Sequence, residues 1–360
     1  MLKGMRKMNT NNQIAIVIPM YNAEKKIKQC INSILKQTFS DFKLIIVDDG
    51  STDLSKVICD KYAKKDCRVV VMHQENKGCV EARKTGVKSR IAQNSKYIMF
   101  CDADDTMPNT ALETLYDIAE KYDADCVCGD MVRMIHRIKV PKRRVAPCFG
   151  SDEVKTYDHN LIMKELYVSC FGITNYPVNL SAKLYKKELI TKAIDFKPIV
   201  QFMGEDLCVT LNVLPYAEKL VITPKIVYHY RMGGGTSKFM SYMLDDFLSL
   251  YNHKMNLMNL YNMDKKTELY LDIELVNIVY DYLKMCKCSG KFSELEIDET
   301  IKKCINVDEV KNAVKYLEET NNLNKLAFMI KNNDISSMRD YINQEYKKNK
   351  LKRLIKKFVF

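Results

Sequence analysis

The feature that most constrains the fold is a regular alternation of short apolar runs with amphipathic segments over the first third of the chain. The apolar runs predict buried strands at Ile14–Ile18, Leu44–Val47, Val69–Met72 and Tyr97–Cys101. Between them, apolar residues recur at helical spacing, which predicts helices near Ile27–Leu35, Leu54–Lys64, Val80–Arg90 and Asn109–Tyr122. The alternation indicates an α/β domain with a mainly parallel sheet, in which ligands bind at the carboxyl ends of the strands.

The pattern changes after Asp130. No acidic residue occurs between Asp130 and Asp152, but six Lys or Arg residues do, and we expect an exposed irregular or hairpin segment there. Two short strands are predicted at Lys219–Thr223 and Ile226–Tyr230, ahead of a glycine-rich turn at residues 233–237. Beyond about Phe239, Gly and Pro are almost absent, which favours a run of helices.

The composition limits the kinds of partner and the cellular compartment that this chain can have. With 360 residues, of which 47% are hydrophobic, the chain can bury a real core, and its formal charge of +12 favours anionic partners. Thirteen cysteines without a CxxC pair favour reduced thiols and make a zinc site improbable. No apolar stretch is long enough to span a membrane or to form a signal-peptide core, so we expect a cytoplasmic protein.

Carboxylates gather after the second and fourth predicted strands. The first cluster, Asp48–Asp53, is equally compatible with an ordinary strand-to-helix loop in which Ser51 or Asp53 caps the helix. The second cluster, Asp102-Ala-Asp-Asp105, places three carboxylates within four residues, and these repel one another unless a cation neutralises them. Oxygen ligands of this kind suit a hard divalent metal that also binds phosphate, so we assign Asp102 and Asp104 a metal-related role.

Four segments in order resemble the motifs of family 2 glycosyltransferases with a GT-A fold, which is Rossmann-like. They are Val17–Asn22, Val47–Asp53, Asn76-Lys-Gly78 with Ala82, Arg83 and Gly86 following, and Cys101–Asp105. The resemblance is strong from about Ile14 to Met131 and weaker to about Ser237, and the helical C-terminal part takes no share in it.

The resemblance implies a UDP-sugar donor and a manganese or magnesium ion. Asp48 would accept a hydrogen bond from the uracil N3–H, Asp102 would hold the ribose or sugar, and Asp104 would bind the metal, which would neutralise charge on the leaving UDP. The residues implied to bind the nucleotide-sugar are Pro19, Tyr21, Glu24, Asp48, Asp49, Asn76, Gly78, Arg83, Asp102, Ala103 and Arg231. His229, in the family's late motif, would be a further metal ligand, although a histidine in a strand is more often packed or surface-exposed.

On the acceptor side, Glu205 and Asp206 resemble the family's acidic pair at the start of a helix. By themselves they could equally be acidic residues that favour a helix N-terminus. Within the resemblance, Asp206 would be the base that takes the acceptor hydroxyl proton, and Glu205 would orient it or contact the acceptor. Direct displacement with one carboxylate base would invert the anomeric configuration, because retention would call for a second, nucleophilic carboxylate.

Other classes of protein are less well supported. The chain lacks the GxGxxG turn of nicotinamide enzymes and the P-loop of NTPases. Its basic segment allows a nucleic-acid-binding protein, but aromatic residues hardly interleave that segment and no nucleic-acid partner is expected. The main alternative is a non-catalytic member of the same fold that binds a nucleotide-sugar.

The C-terminal residues Tyr346–Phe360 carry seven basic and no acidic side chains. Their apolar residues fall on one face of a helix, as in helices that lie on an anionic membrane, although a basic helix packed on its own domain has the same pattern. We therefore predict peripheral attachment to the inner face of the cell membrane and a glycan or lipid-linked acceptor, as in bacterial cell-surface polysaccharide assembly. The predicted domains are a catalytic domain (1–238), a helical region (239–345) and a basic amphipathic tail (346–360).

Overall fold

The computed structural model describes residues 12–135, 138–140, 147–150, 152–173, 175–195, 199–201, 204–232 and 239–359. The chain forms two compact units. The first extends to Cys170 and also takes in Thr174–Pro198 and Glu205–Gly234. The second takes in Phe171–Ile173, Ile199–Gly204 and the chain from Gly235 onward. The predicted glycine-rich turn at 233–237 lies outside the described residues.

The first unit is built on one sheet, in which the described residues contribute nine strands. They are β1 Ile14–Met20, β2 Phe42–Asp49, β3 Val69–Gln74, β4 Tyr97–Phe100, β5 Cys126–Ile135, β6 Ile138–Val140, β7 Lys155–Asp158, β8 Lys183–Lys186 and β9 Lys219–Arg231. Their order is β3-β2-β1-β4-β8-β5-β9-β7, with β6 on β5. The β3-β2-β1-β4 segment is parallel, and β8 runs antiparallel to both β4 and β5. The predicted α/β class with a mainly parallel sheet is confirmed.

The four apolar runs of the sequence form β1 to β4. Every residue of β1 is buried, as a strand covered on both faces requires. The segment predicted after Asp130 to be irregular or a hairpin contains a hairpin, since β6 pairs antiparallel with β5, with Ile138 opposite Ile135. Residues 136–137, 141–146 and 151 of this segment lie outside the described residues.

The prediction of two short strands between residues 219 and 230 was wrong, because the structure has one continuous strand, β9. This strand pairs with β5, and its register shifts between Cys128 and Asp130. Pro224 has no N–H to donate, so a regular ladder would fail at that position. The strand instead forms a bulge, in which residues 223–225 lie opposite Gly129 and pairing resumes at Ile226.

Helices cover this sheet. They are α1 Ile27–Leu35, α2 Ser55–Lys65, α3 Cys79–Lys88, α4 Arg90–Gln93, α5 Ala111–Tyr122, α6 His159–Leu161, α7 Lys187–Ala193 and α8 Glu205–Val213, with a π-helical turn at Ile162–Tyr167. Helix α3 lies very close to the sheet at Gly86, where an added Cβ would stand 2.4 Å from Cγ1 of Val17. This close packing places the first turns of α3 beside the strand ends.

The second unit is helical, as predicted. Its helices are α9 Met243–Leu260, α10 Lys265–Ser289, α11 Glu294–Ile305, α12 Asp308–Glu319, α13 Lys325–Lys331 and α14 Ile335–Val359. Leu275 and Val279 of α10, Ile301 of α11 and Leu317 of α12 are fully or almost fully buried, so this unit has its own apolar core. Over the described part of the chain, no helix combines the length and the apolar character needed to cross a membrane.

Candidate active site

The loops that follow β1 and β2 are hydrogen-bonded to each other. Asn22 has a left-handed backbone (φ 48°), which Asn tolerates better than most residues. Its Oδ1 accepts from the Thr52 N–H at 2.8 Å, and its own N–H donates to Ser51 Oγ at 3.0 Å. The Ala23 N–H donates to Ser55 Oγ at 2.8 Å. These bonds fix two neighbouring strand ends relative to each other, at the edge of the sheet where a ligand is expected.

Three residues implied for the nucleotide pocket lie at this edge. Pro19 is buried within β1, and Tyr21 is 52% exposed. Glu24 belongs to the joined loops, because its N–H donates to Asp53 Oδ2 and its Oε2 accepts from the Leu54 N–H, each at 3.1 Å. Tyr21 therefore offers the most open surface of the three, and Glu24 braces the loop.

Asp48, at the end of β2, has two partners. Its Oδ1 accepts from the Ser51 N–H at 3.0 Å, and its Oδ2 lies 2.9 Å from Nδ1 of His73 on β3. The other ring nitrogen of His73 lies 3.1 Å from Oδ1 of Asp60 on α2. The Asp48 side chain is 3% exposed. A carboxylate offers about four lone-pair positions, so Asp48 can accept further hydrogen bonds.

Asp49 anchors the loop between β3 and α3. Its Oδ1 accepts from the Lys77 N–H at 2.9 Å, and its Oδ2 accepts from the Gly78 N–H at 2.8 Å. Gly50 (φ +74°) permits the close approach of this loop, because an added Cβ would stand 2.9 Å from the Asn76 nitrogen. The carboxylate of Asp49 thus positions the loop that carries Asn76 and Gly78.

Arg83 on α3 gathers three of the predicted carboxylates around one buried guanidinium. Its side chain is 4% exposed, and its Nη2 donates to Asp102 Oδ1 at 3.1 Å. Its Nη1 lies 3.1 Å from Asp206 Oδ1 and 3.8 Å from Glu205 Oε1, both at the start of α8. We call Arg83, Asp102, Glu205 and Asp206 the arginine cluster. It joins the carboxyl end of β4 to the first turn of α8.

The arginine cluster holds more negative than positive charge. The contact between Arg83 and Asp206 is short, but it is not a hydrogen bond. Three atoms are buried without a hydrogen-bond partner, namely Nη1 and Nε of Arg83 and Oδ1 of Asp206. Burial, reinforced by the adjacent Asp206, raises the pKa of Glu205 to about 7. Burial also raises the pKa of Asp102, against the opposing effect of Arg83. A cluster of this kind favours a nearby cation or a proton.

The second half of the Asp102–Asp105 segment has separate partners. Asp104 Oδ2 accepts from Lys26 Nζ at 2.9 Å, and these side chains are 29% and 34% exposed. Asp105 is buried, and its Oδ1 accepts from the Arg231 N–H at 2.6 Å. Burial, with Asp102 nearby, raises the pKa of Asp105 to about 8. Asp105 therefore ties the end of β9 to this segment.

The remaining predicted residues lie around the same segment. Ala103 packs partly buried against the core of the unit. The backbone of His229 pairs with Thr106, which brings β9 alongside the aspartate segment. The Arg231 guanidinium donates to Gln29 Oε1 on α1. The metal role of His229 and the nucleotide-sugar-binding role of Arg231 stay predictions.

The residues present fit a divalent metal that is shared with a substrate. Asp102 and Asp104 provide hard oxygen ligands and are 34% and 29% exposed. Among the residues that the structure describes, no group of three or more His, Cys, Asp or Glu side chains is arranged to hold a metal. Mg²⁺ commonly binds through one or two carboxylates together with substrate phosphates, and this donor set matches that mode.

Two residues of the site escaped the sequence analysis. Lys26 precedes α1 in a lysine-rich stretch, and nothing in the sequence singles it out from Lys25 or Lys28. His73 lies near the end of β3, and its contact with Asp48 depends on the register of β2 against β3. The apolar runs of the sequence place His73 and Asp48 near strand ends, but they do not show that the two residues are neighbours.

Comparisons with known proteins identify the family to which this chain is similar. The sequence profile described as Glycosyl transferase family 2 matches residues 15–169. An uncharacterized glycosyltransferase of Bacillus subtilis, EpsJ, is 30% identical over 308 residues, which cover 84% of this chain and 86% of that protein. The poly(ribitol-phosphate) beta-glucosyltransferase of Bacillus spizizenii is 31% identical over 223 residues, which cover 61% of this chain and 32% of that protein.

A solved structure shows the same fold. The crystal structure of S. aureus TarS residues 1–349 in complex with UDP-GlcNAc superposes with a TM-score of 0.64 at 18% identity. The match covers 94% of this chain and 92% of that one. Together with the sheet order, this likeness confirms the predicted GT-A fold class.

Proposed function

Since this chain belongs to glycosyl transferase family 2 and is therefore a glycosyltransferase, we propose that it transfers a sugar from a UDP-sugar, with inversion, to a hydroxyl group of a glycan or lipid-linked acceptor. The observation that carries this proposal is the arginine cluster. Arg83 contacts Asp102, on the implied donor side, and Asp206, the implied base, at 3.1 Å each. One buried side chain thus contacts both a residue implied to hold the donor and the residue implied to act as the base.

A UDP-sugar donor is supported by the relatives. The TarS structure of the same fold holds UDP-GlcNAc, and a second TarS structure holds UDP. In this chain, Asp48 stands at the end of β2, where the uracil would be read, and Asp102 follows β4, where the ribose or sugar would be held. Cell-surface polysaccharide assembly is supported by the name of the B. spizizenii relative, which acts on poly(ribitol-phosphate).

A divalent metal, Mn²⁺ or Mg²⁺, would be held by Asp104 and Asp102 together with the donor diphosphate. When bound, it would neutralise the charge that develops on the departing UDP. Lys26, now 2.9 Å from Asp104, would have to give up this contact or share it. His229 would complete the protein ligands if its ring turns toward Asp104.

The chemistry on the acceptor side belongs to Asp206. Its carboxylate would take the proton of the acceptor hydroxyl while that oxygen forms a bond to the anomeric carbon. The bond from this carbon to the diphosphate oxygen breaks, and UDP leaves with the electron pair. Arg83 would hold Asp206 in place, and the carboxyl group of Glu205, which is next to Asp206, would orient the acceptor. A single displacement of this kind inverts the anomeric configuration.

The last helix offers a route to a membrane-bound acceptor. Helix α14 is continuous from Ile335 to Val359, so the predicted helical tail is helical in its backbone. The side chains of residues 349–360, which carry most of the predicted apolar face, lie outside the described residues. Membrane attachment through Tyr346–Phe360, and the domain boundaries at 238 and 345, are therefore proposals from the sequence.

The catalytic proposal is tested by UDP release and by product formation with Mn²⁺ and a panel of UDP-sugars. Asp104→Ala should remove metal-dependent release, and Asp206→Asn should lower the transfer rate by about 10² to 10⁴ fold because a general base is lost. The matched control is Asp195→Asn, which removes only an exposed ion pair with Lys88. UDP release that survives Asp104→Ala would rule out the metal-dependent mechanism. Tight donor binding without turnover on any acceptor would favour the non-catalytic alternative.

The membrane proposal is tested with vesicles. Full-length protein and a variant ending at residue 345 are spun with anionic and with neutral liposomes at physiological salt. We expect only the full-length protein to bind, and only to the anionic liposomes, because the removed segment carries seven basic residues. Equal partitioning of the two proteins would count against the proposal.

A further inference from the structure

His73 has a defined place in the site but no role in the chemistry above. It stands on β3 directly beside Asp48 on β2, since the two residues are register partners in this parallel pair. Its Nδ1 lies 2.9 Å from Asp48 Oδ2, and its Nε2 lies 3.1 Å from Asp60 Oδ1. The three side chains are 35%, 3% and 41% exposed in the order His73, Asp48, Asp60. An almost buried carboxylate is thus connected through the imidazole to a solvent-exposed one.

The two contacts fix the form of the ring. Carboxylate oxygens accept hydrogen bonds, so each ring nitrogen of His73 must donate to satisfy its contact. A neutral imidazole has only one N–H, whereas an imidazolium has two. Both contacts are hydrogen bonds only in the imidazolium form, which presents one N–H to Asp48 and the other to Asp60.

We propose that His73 is a positioning residue that orients Asp48 as a hydrogen-bond acceptor and so selects donors whose nucleobase presents a ring N–H. Uracil offers its N3–H to such an acceptor. Cytosine presents a bare N3 at the same position, which could pair only with a protonated Asp48. This inference rests on the proposed UDP-sugar donor, and it adds the residue that enforces the choice of base.

Asp48 can accept hydrogen bonds from its present partners and from a ligand at the same time. The Ser51 N–H and His73 occupy one position on each oxygen, which leaves about two lone-pair positions for a ligand. Asp60 in turn holds the ring from α2, so the orientation of His73 does not depend on Asp48 alone. Loss of His73 would remove the partner of Asp48 Oδ2 and leave this carboxylate free to rotate, so Asp48 would discriminate less well between nucleobases.

The test compares the affinities for UDP, CDP and 3-methyl-UDP, whose methyl group replaces the N3–H, by calorimetry with the full chain. The wild type should bind UDP at least tenfold more tightly than either analogue, because a hydrogen bond to a charged group changes affinity by about this much. In His73→Asn, UDP should lose most of this advantage, whereas the affinity for 3-methyl-UDP should change less than about twofold. The control is His159→Asn, whose ring contacts the Ala217 carbonyl at 3.0 Å.

Each result decides something. A wild type without preference for UDP over CDP would contradict the proposed donor and this inference together. A His73→Asn variant that keeps the full preference, or loses UDP and 3-methyl-UDP affinity in parallel, would overturn the inference and leave the UDP donor standing. If His73→Asn does not fold, Asp60→Asn at the exposed end of the chain of contacts takes its place. Asp60→Asn should lower the ratio of UDP affinity to CDP affinity by about threefold, and an unchanged ratio would overturn the inference.

Discussion

Replacing Arg83 with Met should destabilise the protein in a way that depends on pH. Methionine keeps most of the side-chain volume but removes the positive charge from among Asp102, Glu205 and Asp206. All three carboxylates lie within 3.8 Å of the guanidinium in the wild type. The variant therefore leaves three half-buried carboxylates without their counter-ion.

The magnitude follows from these contacts. Two unit charges 3.1 Å apart attract by about 5 kcal/mol at an effective dielectric constant of about 20. The cost of removing Arg83 from water offsets much of this attraction, so the loss on removing one partner of a buried pair is about 3–5 kcal/mol. We expect this loss in the free energy of unfolding at pH 8.

The loss should shrink at lower pH. Burial already raises the pKa of Glu205 and of Asp102 in the wild type, and Arg83 opposes both shifts. Without Arg83, the folded state binds protons that the unfolded chain does not bind at the same pH, so acid stabilises the variant relative to the wild type. We expect a destabilisation about 2 kcal/mol smaller at pH 5.5 than at pH 8.

The assay is urea unfolding followed by far-UV circular dichroism at both pH values. Arg68→Met is the matched control, because Arg68 makes an ordinary pair with Asp66 at 2.8 Å. The hydrogen bond from Arg68 lowers the pKa of Asp66, so this pair stays ionised at pH 5.5 and its contribution should be flat between the two pH values. An equal loss at both pH values in Arg83→Met would refute the electrostatic reasoning and point to packing.

Three further predictions follow from buried or tightly packed groups. Because the pKa of buried Asp105 is raised to about 8, the ionisation of Asp105 should destabilise the wild type increasingly as the pH rises from about 4 to about 8, and Asp105→Asn should remove this contribution, about 1 kcal/mol per pH unit, in urea titrations. Lys26→Met should tighten Mn²⁺ binding in the presence of UDP about threefold or more, as its contact with Asp104 is lost, whereas the exposed control Lys28→Met should change it less than twofold. Gly86→Ala should lower stability by about 1–3 kcal/mol, because the added methyl group would stand 2.4 Å from a side-chain atom of β1, and a loss near zero would mean that α3 can move away from the sheet.

The half of the fold that the sequence predicts well is the half that is buried on both faces. Strand β1 has no polar side chain and no alternation, so its continuous apolar run is visible without any tertiary information. Strand β8 is the opposite case. It spans four residues, begins with the buried Lys183 and ends with Lys186. Because both of its ends are charged, the sequence does not predict a strand in the middle of the sheet.

Lys183 shows why such a strand is hard to predict. Its ammonium group donates to the carbonyl groups of Pro177 and Asn179, and it lies 4.7 Å from the centre of the Tyr176 ring. These partners supply the polar contacts that a buried charge needs, without a carboxylate. They come from a loop of irregular conformation, so no periodic pattern in the sequence predicts these contacts.

The candidate site divides in the same way. The resemblance to the family motifs implies roles for Asp102, Arg83 and Asp206 from the sequence alone. The contacts among them arise only when α3, β4 and α8 are brought together. Whether a particular lysine or histidine joins them depends on loop conformation and strand register, as Lys26 and His73 show.

The reversed strand β8 between β4 and β5 also has a consequence for synthesis on the ribosome. As the chain emerges, β1 to β4 can pair with one another, but the edges of β4 and β5 lack a partner until residues 183–186 have been made. Glu205 and Asp206 emerge later still. A nascent chain therefore completes the loops after β1 and β2 well before it contains Glu205 and Asp206. We expect chains that stop short of residue 183 to expose an unpaired sheet edge and to be cleared by proteases.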